Sequence, residues 1–341
     1  MNRENTADQA AQKPAGGAAA SAVIQPREPG AASKVWDFFI KYNTVIIFIV
    51  LIIVASMLSD VFFTEKNMLN LLRQLAALGI ISMGMLLVIL TGGIDLSVGA
   101  FAALGCVVSA VLLADFSFPV AIGLTVLIGL FMGGVSGYLV ARRHIAPFVA
   151  TLAMMTIANG LAFIISKGSP ILVENRAIQL FDRGYFFGIP LHVCVMFIVF
   201  LITVFLLRST LFGRMIKAIG SNESAVTLSG VKTDIYKMAV YCIAGGLSAI
   251  AGIIISSRTG VGSPLVGTGY ELDAIAAVVI GGASLSGGRG TALNTLLGVL
   301  ILGLISNIMN LMNIPAYPQQ VLKGLIIIAA VMFQVVNKKR A

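Results

Sequence analysis

Apolar runs of membrane-spanning length follow one another along almost the whole chain, and this succession constrains the fold more than any single motif. A helix needs about 20 apolar residues to cross a bilayer. Runs near 45–63, 70–91, 94–113, 118–141, 147–166, 192–208, 236–256, 272–288, 291–312 and 318–336 meet or approach that length. The expected fold class is therefore all-α, a polytopic membrane protein with about ten transmembrane helices. The run at 272–288 is the weakest, because only 274–280 is strongly apolar before Gly281-Gly282-Ala283-Ser284-Leu285-Ser286-Gly287-Gly288. It either crosses fully or turns back inside the membrane. Only 11% of the residues are charged and 58% are apolar, against about 25% charged in soluble proteins, so a soluble globular fold is excluded.

Cytoplasmic loops retain Lys and Arg, which sets the orientation. With the N-terminus inside, cytoplasmic segments hold 16 of the 23 basic residues: five in 1–41, Arg142 and Arg143, five in 208–237, Arg289, and three in 338–340. Lys66, Arg73, Lys167, Arg176, Arg183, Arg258 and Lys323 fall on or near external ends. Both termini are thus expected in the cytoplasm. The net charge of +9 reflects topology and anionic lipid contact, not nucleic-acid binding. The segment 1–40 is rich in Ala, Gly, Pro and Gln and reads as a disordered cytoplasmic tail without the pattern of a signal peptide, ahead of a membrane domain over 41–341. Cys106, Cys194 and Cys242 lie far apart in apolar runs and read as small core residues.

A sequence echo links Gly92-Gly93-Ile94-Asp95-Leu96-Ser97-Val98-Gly99 to 281–288 through Gly-Gly-x-x-Leu-Ser-x-Gly. Each copy follows an inward-running span, as in a parallel repeat. Asp95 reads as the N-cap of the third span, as a group on a solute path, or as both, since a carboxylate at membrane depth is costly. Gly92, Gly93 and Ser97, with Ser284 and Ser286 in the second copy, offer hydroxyls and backbone groups suited to a neutral polar solute or to its gate. Thr151, Thr156 and Asn159 share the fifth span. Thr156 and Asn159 are read as interhelical hydrogen-bonding groups, with solute contact by Asn159 as the alternative. Glu271 and Asp273 stand at an external mouth, as the acidic first turn of a helix or as the receiver of a basic patch on an external partner. Gly129, Gly133 and Gly137, four apart, fit close helix packing, either within one chain or across a dimer.

The loop 208–237 carries Gly213, Arg214, Gly220, Asn222, Glu223, Ala225, Leu228 and Gly230, too many charged, small and helix-forming residues for a mere connection. It points to a partner. A short helix holding Ala225 and Leu228 between Gly220 and Gly230 fits docking into a groove. No phosphate-binding Gly-x-x-x-x-Gly-Lys-Ser/Thr, no His-Glu-x-x-His and no nucleophile elbow occurs, so an enzyme is not expected and any ATP would be hydrolysed by another polypeptide.

This loop, Thr91-Gly92-Gly93-Ile94-Asp95-Leu96-Ser97-Val98-Gly99, and Gly267-Thr268-Gly269-Tyr270-Glu271-Leu272-Asp273-Ala274-Ile275-Ala276-Ala277 together resemble the permease subunits of ribose-type ABC sugar importers. The resemblance runs from about residue 40 to the C-terminus. It departs from the usual pattern in a longer N-terminal tail and in Ser221-Asn222-Glu223-Ser224 where Gly-Asn-Glu-Ala is common. It implies a bacterial inner-membrane permease for a monosaccharide, with ribose as the first choice. It also implies a second permease chain (homodimer or heterodimer), separate cytoplasmic ATPases that hold ATP and Mg, and a periplasmic sugar-binding protein. A self-sufficient carrier or channel for a small polar solute is the alternative.

Overall fold

The computed structural model describes residues 43–338. The tail expected over 1–40 and the basic residues Lys339 and Arg340 lie outside the described residues. Thirteen helices and four two-residue strands follow in the order α1 (Asn43–Leu58), α2 (Glu65–Leu90), α3 (Val98–Asp115), α4 (Phe118–Ala141), α5 (Pro147–Ser166), β1 (Ile171–Leu172), α6 (Arg176–Arg183), β2 (Tyr185–Phe186), β3 (Ile189–Pro190), α7 (Leu191–Ser209), α8 (Leu211–Ser221), α9 (Glu223–Leu228), α10 (Thr233–Thr259), β4 (Val261–Gly262), α11 (Tyr270–Ile280), α12 (Ala292–Leu311) and α13 (Ala316–Lys338). The expected all-helical class is observed.

Local chemistry sets the boundaries. Thr64 caps α2 by accepting from the Asn67 amide, and Thr291 caps α12 by accepting from Asn294. Proline occupies the first turn of α4 and of α5, where its missing N–H and fixed φ are tolerated. Seven helices, α2, α3, α4, α5, α7, α10 and α12, are long and apolar enough to cross a membrane on their own. The others differ from expectation. α1 stops at Leu58 rather than near 63. α11 has 11 residues, about 17 Å at 1.5 Å per residue, roughly half of a hydrocarbon core. The segment 272–288 therefore does not form a full-length helix, because Gly281 and Gly282 end it after the short apolar core.

α2, α3 and α10 form the centre. Every residue of 75–90 and of 98–110 is buried, the expected state of a helix apolar on all sides. α4 lies along α10 through the glycine series. A methyl group at Gly133 would stand 2.2 Å from the Tyr241 carbonyl oxygen, and one at Gly129 would stand 2.6 Å from that of Gly245. The Gly129–Gly133–Gly137 stripe is thus consumed within one chain, the first of its two readings. Around this centre α4, α5 and α7 turn apolar side chains outward, with Phe131, Ile164 and Phe205 strongly exposed, as surfaces meant for lipid or a second copy do.

The two ends of the bundle are distinct. At one end β1 pairs antiparallel with β4, Ile171 opposite Gly262, which ties the segment after α5 to the one after α10. The other end gathers the turn after α2, helix α8 and the turn after α11.

Candidate translocation and coupling site

Both Gly-Gly stretches fold into the same kind of helix stop. After α2, Gly92 adopts φ +80°, its amide bonds the Ile89 carbonyl, and the Gly93 amide reaches the Val88 carbonyl. After α11, Gly282 adopts φ +81°, its amide bonds Val279, and the Ala283 amide reaches Val278. Each is a Schellman motif with a left-handed glycine one residue past the cap. The structural match pairs Gly92 with Gly282, one residue away from the sequence echo, which aligns Gly92 with Gly281. Beyond the turn the copies diverge. The first runs through 93–97 directly into α3, whereas the second folds into a small loop closed by a bond from the Ser284 amide to the Arg289 carbonyl.

The two turns meet, and helix α8 meets both. The Gly288 amide donates to the Leu90 carbonyl at 3.0 Å. A methyl group at Gly220 would lie 1.9 Å from that same carbonyl oxygen and 2.5 Å from the Gly288 nitrogen, and one at Gly287 would lie 2.9 Å from the Gly92 nitrogen. Ser286 and Gly92 are neighbours here, and the Ser284 hydroxyl accepts from the Ser286 amide. Three stretches distant in sequence therefore converge in backbone-to-backbone contact at one end of the bundle.

Asp95 is fully buried, yet it is not the N-cap of α3. Ser97 holds that position without a side-chain cap bond, and Asp95 Oδ1 accepts from the Ser97 amide and hydroxyl. The carboxylate thus ties a turn two residues ahead of the helix, because the chain needs 93–97 to reverse direction before α3 can begin. Its Oδ2 has no hydrogen-bond partner, and neither has the hydroxyl of the buried Tyr241. That hydroxyl fills the space beside Gly93, where a methyl group would stand 2.4 Å from it. Tyr241 carries no motif. A tyrosine within an apolar span was its only sequence signal.

The remaining predicted residues are more dispersed. Thr156 donates to Leu152 four residues back on its own helix, so its bond is intrahelical, the usual outlet for an isolated Thr in a helix. Thr151 donates to Pro147 of its own helix and approaches the Ile94 carbonyl at 3.5 Å. Asn159 is half-buried on α5, apart from the paired turns in chain and element. Asp273 pairs with Lys323 of α13 at 2.8 Å. Glu271 accepts from the Gly269 amide and faces Gly99 of α3. Each carboxylate thus has a partner within its own chain, and both remain partly exposed.

The loop 208–237 is two helices, not one. Thr210 caps α8 by accepting from the Gly213 amide, and Asn222 breaks the path and caps α9 by accepting from the Ala225 amide. Gly213 lets α8 fold back on α7, since a methyl there would stand 2.2 Å from the Leu206 carbonyl oxygen. On α8, Ile216 and Ile219 are buried and Arg214 is exposed. No residue of α9 is buried; Leu228 is 89% exposed, and Gly230 ends the segment with φ +83°. The Glu223 carboxylate binds Lys237 Nζ through both oxygens, at 2.7 and 2.8 Å.

A family profile described as branched-chain amino acid transport system / permease component matches residues 67–331. The chain belongs to this permease family. It is a multi-pass membrane protein. The permease is 48% identical over 298 residues to a protein named ribose import permease protein RbsC from Bacillus subtilis, covering 86% of this chain and 91% of that one. It is 41% identical to the Haemophilus influenzae protein of the same name, covering 88% and 94%. It is 35% identical to an L-arabinose ABC transporter permease protein AraH from Azospirillum brasilense, covering 91% and 93%. No solved structure matches the chain.

Proposed function

We propose that this permease is the membrane subunit of an ABC importer that carries ribose into the cytoplasm across the bacterial inner membrane. The observation that carries the reading is identity of 41–48% over most of the chain to ribose import permeases. Sugar selectivity rests on a few hydrogen bonds, so the arabinose permeases at 35% make L-arabinose the second sugar to test. Nothing here favours a self-sufficient carrier or channel.

The path crosses the membrane ten times with both termini inside, α11 serving with the stretch before it as one crossing. Grouping of the turn after α2, α8 and the turn after α11 at one end, and of the β1–β4 pair at the other, supports that topology. In the same reading α9 lies in the groove of a cytoplasmic ATPase, which holds ATP and Mg, with Leu228 and Ala225 as its apolar contacts. A periplasmic sugar-binding protein delivers the ligand from outside, and a second permease copy completes the path. Force applied to α9 reaches both glycine turns through the Gly220 contact, because backbone against backbone leaves no compliant side chain between them. Gly92, Gly93, Asp95, Ser97, Ser284 and Ser286 then form the inner gate, switched between two states by ATP and by the loaded binding protein.

The test is uptake of labelled ribose and arabinose by proteoliposomes holding the permease and its ATPase, with loaded binding protein outside and ATP inside. Ribose uptake dependent on the ATPase, the binding protein and ATP is expected. Uptake without ATP or without the binding protein would overturn the reading.

A further inference from the structure

The chain after α10 turns back into the bundle without regular structure. In the topology proposed above, Val261 and Gly262 pair with β1 at the outer end, and Gly262 also stands against Ala110 and Cys106 of α3. Gly267 lies further along the same helix, where a methyl group would meet the Gly99 carbonyl. α11 then runs from Tyr270 to Ile280, and the turn after it reaches the inner end, with the Gly288 amide on the Leu90 carbonyl. The 11 residues of α11 rise about 17 Å, roughly half of a hydrocarbon core of about 30 Å. Its first turn therefore sits near mid-depth, and residues 263–269 cross the outer half as irregular backbone.

One side of this stretch is sealed and the other is open. Gly262, Ser263, Pro264 and Gly267 are buried, whereas Leu265 is 68% exposed, Leu272 is 53% exposed, and Thr268 is exposed between them. On the open side the Thr268 hydroxyl donates to the Leu265 carbonyl at 3.1 Å, and the half-buried Glu271 carboxylate accepts from the Gly269 amide. Asp273, in the first turn of α11, pairs with Lys323 of α13 at 2.8 Å, and the two side chains remain 15% and 27% exposed. Irregular backbone and charged groups at membrane depth are tolerated where protein or water meets them, not against hydrocarbon.

We propose that the open side of 265–272 lines the outer half of the solute path, facing water and the passing sugar, with Thr268 and Glu271 as the contact residues. The assignment rests on the sugar-import reading above. A permease for a neutral polyhydroxy solute must hold a polar medium at this depth, and that medium meets the needs of this stretch. The Thr268 hydroxyl can accept from a sugar hydroxyl while it donates to Leu265, and the Glu271 carboxylate has lone pairs beyond the one that the Gly269 amide uses. Leu265 and Leu272 offer apolar surface to sugar C–H groups. The Asp273–Lys323 pair holds α11 against α13, so that the open side keeps its direction. The inner gate proposed above then lies at the far end of α11, and one short helix joins the two parts of the path.

The experiment places single cysteines in a permease whose Cys106, Cys194 and Cys242 are replaced. Their rates of reaction with a charged, water-soluble methanethiosulfonate are measured on the permease–ATPase complex in lipid nanodiscs, alongside the uptake assay. Thr268→Cys and Leu265→Cys should each react at least tenfold faster than Phe131→Cys, a strongly exposed position about halfway along α4, and the modification should abolish uptake. Thr268→Val, which keeps the shape and removes the hydroxyl, should lower uptake about threefold, the size of one neutral hydrogen bond. If both cysteines react no faster than Phe131→Cys while the unmodified variants import ribose, the assignment is overturned and the import reading stands. An uncharged, lipid-soluble maleimide then tells what covers the stretch: reaction with it means lipid, and no reaction means a second permease chain. Fast labelling that leaves uptake intact would also remove the stretch from the path. Absence of uptake by the wild type would overturn the import reading and this assignment together.

Discussion

Gly220 is the residue at which α8 meets both glycine turns. Its missing side chain lets α8 touch the Leu90 carbonyl and the Gly288 amide directly, and backbone on both sides cannot yield as a side chain can. Gly220→Ala is expected to cost about 1–3 kcal/mol by overpacking and to reduce ATP-driven uptake at least tenfold, read as a lowered thermal midpoint and an uptake rate. Gly134→Ala is the control, because nothing lies within 4 Å of a methyl group there; it should match the wild type in both. Asp95 behaves differently. Asp95→Asn keeps an oxygen to accept from the Ser97 amide, so the turn should survive with a thermal midpoint close to native. Uptake should nevertheless fall about tenfold if the buried, unpartnered Oδ2 acts at the gate, since a fixed donor there is not equivalent to a carboxylate oxygen. Native uptake by Asp95→Asn would remove it from the path.

Among the elements, α9 has no buried residue beside a buried core, and its fold and its proposed function can be separated. The Glu223–Lys237 pair sits at the surface, with Glu223 46% exposed, and such pairs contribute about 0–1 kcal/mol. Glu223→Lys should therefore leave the permease inserted and folded. It also places two like charges side by side and reverses the sign of the proposed docking face. Loss of ATPase co-purification and of uptake, with unchanged gel-filtration behaviour, is the expected result; retention of both would detach α9 from the ATPase. α11 teaches a different lesson at this scale. Hydropathy averaged over 272–288 approached that of a spanning helix, but the helix ends where Gly281 and Gly282 permit a left-handed turn, and local backbone chemistry outweighed the average.

At the scale of the whole molecule the prediction is topological. In a variant with Cys106, Cys194 and Cys242 replaced, Leu180→Cys and Ala225→Cys, both at exposed positions, should label from opposite faces, the first from outside and the second only after permeabilisation. Labelling of both from one face would overturn the ten-crossing path. The all-helical class, the positions of the long spans and the short helix after Gly220 were legible in the sequence, because hydrophobic length and capping chemistry are local properties written in contiguous residues. Both glycine stretches could be found in the same way, though not their structural register, since the echo aligns Gly92 with Gly281 whereas the turn aligns it with Gly282. The cap assigned to Asp95 also failed, because whether a carboxylate caps a helix or a preceding turn depends on where the chain must reverse. Only the tertiary structure decided that Leu90, Gly220 and Gly288 meet and that Tyr241 fills the space beside Gly93. Those contacts join segments tens to hundreds of residues apart, and packing of whole helices, rather than the preference of any one stretch, brings them together.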